Sequence, residues 1–344
     1  MKLHSARLLV FSLLAVATPL LAQSYNLTDL GAVAGERVSA GYGLNAAGQA
    51  AGVSSSPNGD IPTLFSGGQA HNLGTLVPGD VSVATAINGL AEAAGYEPEL
   101  FSSPSVDHAW IYSNGKLFDL HSPALFPQGT QAAGINDSGV VVGQGWLTSS
   151  SFHAFVYASG QMVDLGPPGA YQASAVAIND NGQILGNAYF TGGGGGTFIY
   201  AGGKFTYLTP PPGATAGGFA LNRLGQVAGA LYTSTGPHAA EFSNGKWTDL
   251  GGVTGAALHG TGINTAGQVI ATAFYPVQSY HPFRPGKHVA YLIGANGPVN
   301  LNTLIPANSG YTLTDAISIN DNGQILCNAA TPVSAKHAVL LTPQ

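Results

Sequence analysis

The sequence predicts an all-β fold, a seven-bladed propeller of four-stranded blades whose ring is closed by an N-terminal strand completing the last blade. Three observations lead there. A short phrase built from a small residue, Ile or Leu, Asn, two variable residues and Gly or a substitute occurs seven times. Turn-forming pairs divide each repeat into four short segments and leave no room for a helix. An ending shared by the repeats is missing from the last one and stands unattached near the front of the chain.

The phrase reads GLNAAGQAAG from Gly43, AINGLAEAAG from Ala86, GINDSGVVVG from Gly134, AINDNGQILG from Ala177, ALNRLGQVAG from Ala220, GINTAGQVIA from Gly262 and SINDNGQILC from Ser318. Its Asn residues are Asn45, Asn88, Asn136, Asn179, Asn222, Asn264 and Asn320, spaced by 43, 48, 43, 43, 42 and 56 residues. One four-stranded blade takes about 40–45 residues. The fourth repeat shows the grammar: SAVAIN (174–179) is a strand, DNG a turn, QILGNA (183–188) a second strand, TFIY (197–200) a third and KFTYL (204–208) a fourth. The Asn is expected to be structural, holding the turn that follows it through its own backbone.

Two and four residues before each Asn the side chains are tiny: Gly43 and Gly41, Ala86 and Ala84, Gly134 and Ala132, Ala177 and Ala175, and so through Ser318 and Ala316. Alternate residues of a strand share a face, so this stripe is expected to meet another backbone. Crowding of that kind is greatest beside the axis, which makes the first strand innermost. Repeats finish on FDL (118–120), VDLG (163–166) or TDLG (248–251), whereas the last ends at HAVLLTPQ. The segment YNLTDLG, Tyr25 to Gly31, is therefore expected to supply the outer strand of the seventh blade and leave no long open edge. Asp29, Asp164 and Asp249 are expected to cap turns at the ends of outer strands.

Residues 1–22 read as a signal peptide and 23–344 as a single propeller domain. Lys2 and Arg7 precede an apolar stretch from Leu8 to Ala17, and Ala22 before Gln23 suits cleavage. That stretch is short for a bilayer, so no integral membrane segment is expected after cleavage, and the address is secreted or periplasmic. The lone Cys327 has no partner for an internal disulfide, so stability must come from packing and ring closure. A net charge of −6 without a basic run argues against nucleic acid as a partner. No cofactor is implied, and a monomer is expected.

The third strands open with HAW (from His108), HAF (His153), HAA (His238), HVA (His288) and HAV (His337). Together with IN-x-x-G-Q-x-x-G and DLG, this resembles the bacterial extracellular repeat proteins of the HAF family. The resemblance implies an exported repeat protein and brings no reaction or ligand. Repeats one and four depart from it, with Pro62 and Gly196 at the His position, and Gly192 to Gly196 reads as a slack loop. The five His stand one per blade, separated on the order of 10 Å, whereas zinc takes ligands at about 2 Å. They are expected to be structural rather than metal ligands.

Function is expected where the repeat breaks. The tight NDNG and SNG turns share one face of the ring. The variable loops share the other, and the two longest are Tyr96 to Asp107 and Phe274 to Lys287. The second carries Tyr280, His281, Phe283 and Arg284, residue types suited to binding surfaces. Five residues before each Asn, at the mouth of the channel, stand Ala40, Val83, Gln131, Ser174, Gly217, His259 and Asp315. His259 and Asp315 fall on adjacent blades, so Tyr280, His281, Phe283, Arg284, His259 and Asp315 are expected to converge on one binding site. Its partner would be a glycan or an extracellular protein. The alternatives are a polysaccharide lyase or hydrolase at the channel mouth and a purely structural surface or matrix protein. No catalytic residue and no metal ligand is assigned.

Overall fold

The computed structural model describes residues 24–57, 59–98, 106–276, 286–331, 333 and 335–344. Every repeat folds as a four-stranded antiparallel sheet whose strands follow chain order from the inside outward. The inner strands of blades 1 to 7 are Val38–Leu44, Val83–Ile87, Thr130–Ile135, Ala170–Ile178, Thr215–Leu221, Ala257–Ile263 and Thr312–Ile319. One parallel bridge, Phe152 to Gln172, joins the sheets of blades 3 and 4. The seventh sheet is completed by Tyr25–Asp29, which pairs with Lys336–Pro343 in the register Tyr25 to Pro343 through Asp29 to Val339. The unattached TDLG near the front of the chain is the missing outer strand.

The seven Asn residues close the ring by a route that reaches beyond their own turns. Each Oδ1 accepts backbone N–H bonds from the turn that follows; Asn179 takes them from Asn181 and Gln183 at 3.1 and 3.0 Å. Each Nδ2 donates to the main-chain carbonyl of the Asn in the next blade. The circuit ends with Asn320 donating to the Asn45 carbonyl at 3.0 Å. Sequence alone suggested a local turn device; the side chain also stitches each blade to its neighbour.

The small-residue stripe is innermost as expected, but its two residues do not share a face. In every inner strand the register slips between the fourth and second residues before Asn. In blade 1, Gly41 lies opposite Gly52 and Gly43 opposite Ala51, so Tyr42 is an extra, bulged residue. The bulge reverses the alternation. A Cβ on Gly41 would meet the Leu326 side chain of blade 7 at 2.8 Å, and one on Gly43 would meet the Ala86 backbone of blade 2 at 3.1 Å. One small residue therefore seats the preceding blade and the other the following blade. In repeat three the Gly that ends the phrase faces this bulge, and a Cβ on Gly143 would lie 2.0 Å from the Gln131 carbonyl oxygen.

The HAF and DLG phrases turn out to be two halves of one contact. His108, His153, His238 and His337 present Nδ1 to Asp119, Asp164, Asp249 and Asp29 at 2.7–2.9 Å. The same Asp residues cap their turns, as expected; Asp29, Asp164 and Asp249 accept from Gly31, Gly166 and Gly251. His288 is the exception. Val289, not His288, stands at the equivalent register position opposite Ala273, while His288 lies opposite Phe274. A slip of one residue turns a side chain to the other face of the sheet. In blade 1 the equivalent position opposite Ser54 is Ile61 rather than Pro62.

Candidate functional site

The bulged residues form the wall of the axial channel. Tyr42, Thr85, Ala133, Val176, Phe219, Thr261 and Ile317, one per blade, line a cavity of about 240 Å³. Towards the face of the tight turns the channel ends at the Asn ring, where Asp137, Asp180, Arg223 and Asp321 gather and Arg223 lies 3.7 Å from Asp321. Towards the other face it widens into a mouth with two different halves.

Over blades 4 and 5 the mouth opens into a cleft of about 580 Å³. Its walls carry Tyr171, Tyr189, Phe190, Phe219 and Tyr232, with Ser174, Asn187 and Thr215 between them and no charged side chain among the described lining residues. Tyr189 is 51% exposed, Tyr171 41%, and Phe219 and Tyr232 38% each. The cleft lies where repeat four loses its His: Gly196 occupies that position, and the chain before it makes a tight turn. Gly193 and Gly194 have φ of +87° and +88°, and Gly193 N–H bonds the Phe190 carbonyl at 2.9 Å. The expected slack loop is an ordered turn.

The half formed by blades 1 to 3 is phenolic and acidic. Burial, with Asp107 and Asp60 nearby, pushes the Tyr96 hydroxyl above its usual range; burial, Asp60 and Tyr96 do the same to Tyr42. Asp107 is raised by burial in spite of a bond from Gln131. Between blades 1 and 2 the carboxylate of Glu97, 2% exposed, receives the backbone N–H groups of Leu76 and Val77 at 2.7 Å each.

His259 and Asp315 both stand at the mouth, but they do not pair. The Asp315 carboxylate is bonded to His288 Nδ1 at 2.8 Å and to the Thr314 hydroxyl at 2.8 Å. The register slip in blade 6 is the cause, since it turns His288 away from its own outer strand and towards blade 7. His259 is enclosed by rings instead: Phe219 is stacked on it at 5.5 Å, Phe274 lies at 5.2 Å and Tyr232 edge-on at 5.9 Å. Phe274 in turn meets His288 at 4.6 Å. The two residues are thus joined through Phe274 and His288 rather than directly. Tyr280, His281, Phe283 and Arg284 lie outside the described residues, as does most of the Tyr96 to Asp107 loop.

The reading of the sequence missed Tyr171, Tyr189, Phe219 and Tyr232. A signal for them existed. Ten residues after Asn stand Trp146, Tyr189, Tyr232 and Phe274, so four successive repeats carry an aromatic at one register position near the mouth. Among the described residues no helix is long and apolar enough to cross a membrane.

No protein-family model matches the chain, and no curated protein matches it. Solved structures do. The β-propeller domain of the Trilobed protease from Pyrococcus furiosus superposes with a TM-score of 0.53 at 9% identity, covering 94% of this chain and 95% of that one. TolB from Acinetobacter baumannii gives 0.48 at 13% identity over 73% of this chain, which spans 63% of TolB. The Aleuria aurantia lectin gives 0.41 at 12% identity over 82% of this chain and 95% of the lectin. At such identities what the first of these establishes is the fold, and the chain is an all-β propeller.

Proposed function

We propose that this chain is an exported binding protein that takes a neutral glycan in the aromatic cleft over blades 4 and 5. One observation carries the reading: four exposed aromatic rings converge on a cleft with hydroxyl and amide groups and no charge among its described lining residues. Tyrosine offers rigid contact area with a polar tip at small entropic cost. Sugar rings present apolar faces and hydroxyl rims that match such walls, whereas phosphate or nucleic acid would ask for cations. The volume of about 580 Å³ falls inside the range of about 300–1,000 Å³ usual for small-ligand sites.

Export rests on Lys2, Arg7 and the Leu8 to Ala17 stretch, and a mature chain starting at Gln23 would support it. The HAF-like reading rests on the IN-x-x-G-Q-x-x-G, HAF and DLG phrases. The insertion residues Tyr280, His281, Phe283 and Arg284, with His259 and Asp315, enter as a second contact zone. An Arg284→Ala, His259→Ala double variant reports on it.

The test is a glycan array probed with wild type and a Tyr189→Ala, Tyr232→Ala double variant. Truncating one anchoring ring costs on the order of 2 kcal/mol. The double variant should therefore lose binding by well over tenfold while keeping its melting temperature. Equal binding by both proteins would place the site elsewhere.

A further inference from the structure

His259 differs from the histidines of the HAF phrases in one chemical respect. His108, His153, His238 and His337 each present Nδ1 to a carboxylate. Among the described residues no hydrogen bond or ion pair joins His259 to a carboxylate; Asp315, on the adjacent blade, is committed to His288 and Thr314. Its Nε2 is buried and has no hydrogen-bond partner among the described residues. The ring fits instead as a flat apolar plate, stacked on Phe219 with 21° between the planes and edge-on to Tyr232. Both of those residues are walls of the cleft. Phe274 closes the third side.

Among the described residues the other titratable groups around it are few. The second strand of blade 5 contributes Tyr232, whose hydroxyl burial pushes up, so it stays neutral in the acidic range. Blade 6 contributes His288 behind Phe274, and blade 7 contributes Asp315. Burial holds the His259 imidazole below the ordinary histidine range. With the neutral proton on Nδ1, a second N–H at Nε2 would find no acceptor among the described residues. The aromatic faces return part of the lost hydration through cation–π contact, but they offer no acceptor.

We propose that His259 is a proton-operated regulator of the mouth: neutral, it holds Phe219, Tyr232 and Phe274 in their stack; charged, it leaves the stack and the cleft wall rearranges. The consequence for binding, release of the glycan on acidification, rests on the cleft reading above; the rearrangement itself does not.

The experiment uses the whole mature protein. Aromatic carbon–proton NMR is followed from about pH 7.5 to about pH 5, the interval across which histidine changes charge. Wild type is compared with His259→Phe, which keeps the plate and cannot titrate, and with His259→Gln should the first variant fold poorly. His153→Phe serves as a control for a histidine with a carboxylate partner. In wild type the Phe219, Tyr232 and Phe274 ring signals should move with the same midpoint as His259, below that of an unperturbed histidine. The same rings should stay still in His259→Phe and move normally in His153→Phe. On the glycan array, wild-type signal should fall at least about fivefold at the acidic end, a modest coupling, and His259→Phe should lose far less. The proposal is overturned if His259 titrates while the three rings stay still, or if the His259 variants show the same ring movements as wild type. An array without binding at any pH would end the cleft reading and leave the ring signals to decide the rearrangement.

Discussion

Replacing Asn179 by Ala tests the hydrogen-bonded circuit that closes the ring. The side chain is 6% exposed and makes four bonds: from the Asn181 and Gln183 amides, to Gln183 Oε1 at 2.8 Å and to the Asn222 carbonyl at 3.0 Å. At about 1 kcal/mol net per bond, the loss comes to about 4 kcal/mol, with more from groups left unpaired in a buried setting. A melting entropy of about 2.1 cal/mol/K per residue converts this, for a propeller of this length, to a drop of about 6 °C. Asn136 supplies an internal comparison. Its repeat has Val140 where the others carry Gln or Glu, so Asn136 makes three of these bonds. Asn136→Ala should therefore cost about 1 kcal/mol less. Calorimetry on the two single variants and on Asn179→Ala, Asn320→Ala reads the outcome. If the circuit acts as a unit, the second cut costs less than the first, although blades 4 and 7 are far enough apart for independent sites to add. A drop below about 1 °C for Asn179→Ala, against the entropy just used, would refute the reasoning. Equal costs for Asn136 and Asn179 would refute the bond counting.

Ala175, 1% exposed, packs in a cluster with Val142 and Ala154 of blade 3, so Ala175→Leu should overpack that seam and cost about 1–3 kcal/mol, read by chemical unfolding. Ala91 holds a φ of +62° where all six other repeats place Gly three residues after Asn, and Ala91→Gly should raise the melting temperature slightly, because a left-handed Ala costs about 1–2 kcal/mol and Gly gives back about 0.5–1 in chain entropy. Burial pushes the Asp29 carboxyl up, but bonds from Tyr311, Gly31 and His337 outweigh it and hold the group below its usual range. Its stabilisation is therefore complete above the unfolded carboxylate value of about 4 and is lost as pH falls through the lower folded value; Asp29→Asn should flatten the acid limb of a melting-temperature profile. Deleting Tyr25 to Gly31 uncovers the edge of Lys336–Pro343 and should promote aggregation, followed by light scattering.

Architecture was legible because it repeats. Spacing between Asn residues set the blade length, and the unattached TDLG located the seam before any coordinates. What escaped were features that depend on a shift of one residue. The bulge at Tyr42 and its six counterparts is invisible to a strict alternation rule, so the Gly and Ala stripe seemed to lie on one face. In blade 6 the HVA phrase matches by letters yet sits one register step away, which sends His288 to Asp315 and leaves His259 among rings. Pairing of HAF with DLG lay hidden for a different reason: it links strands through side chains eleven residues apart, and either phrase has a sufficient local explanation alone. Of the expected site, His259 and Asp315 both stand at the mouth, Asp315 bonded to His288 and Thr314 and His259 set among rings. The cleft itself went unseen because its aromatics show as a set only when the repeats are aligned by distance from Asn.

The bulged position separates two demands that most strands must satisfy with the same residues. On either side of it the chain is held to Gly, Ala or Ser by the neighbouring blades, while the bulged side chain itself points into the lumen. It is Tyr, Thr, Ala, Val, Phe, Thr and Ile in turn around the ring, with no common size or polarity. The lumen is thus a surface of seven interchangeable staves on a hoop that does not register what they are. Rewriting those seven letters should change what the bore admits while the seams between blades stay as they are.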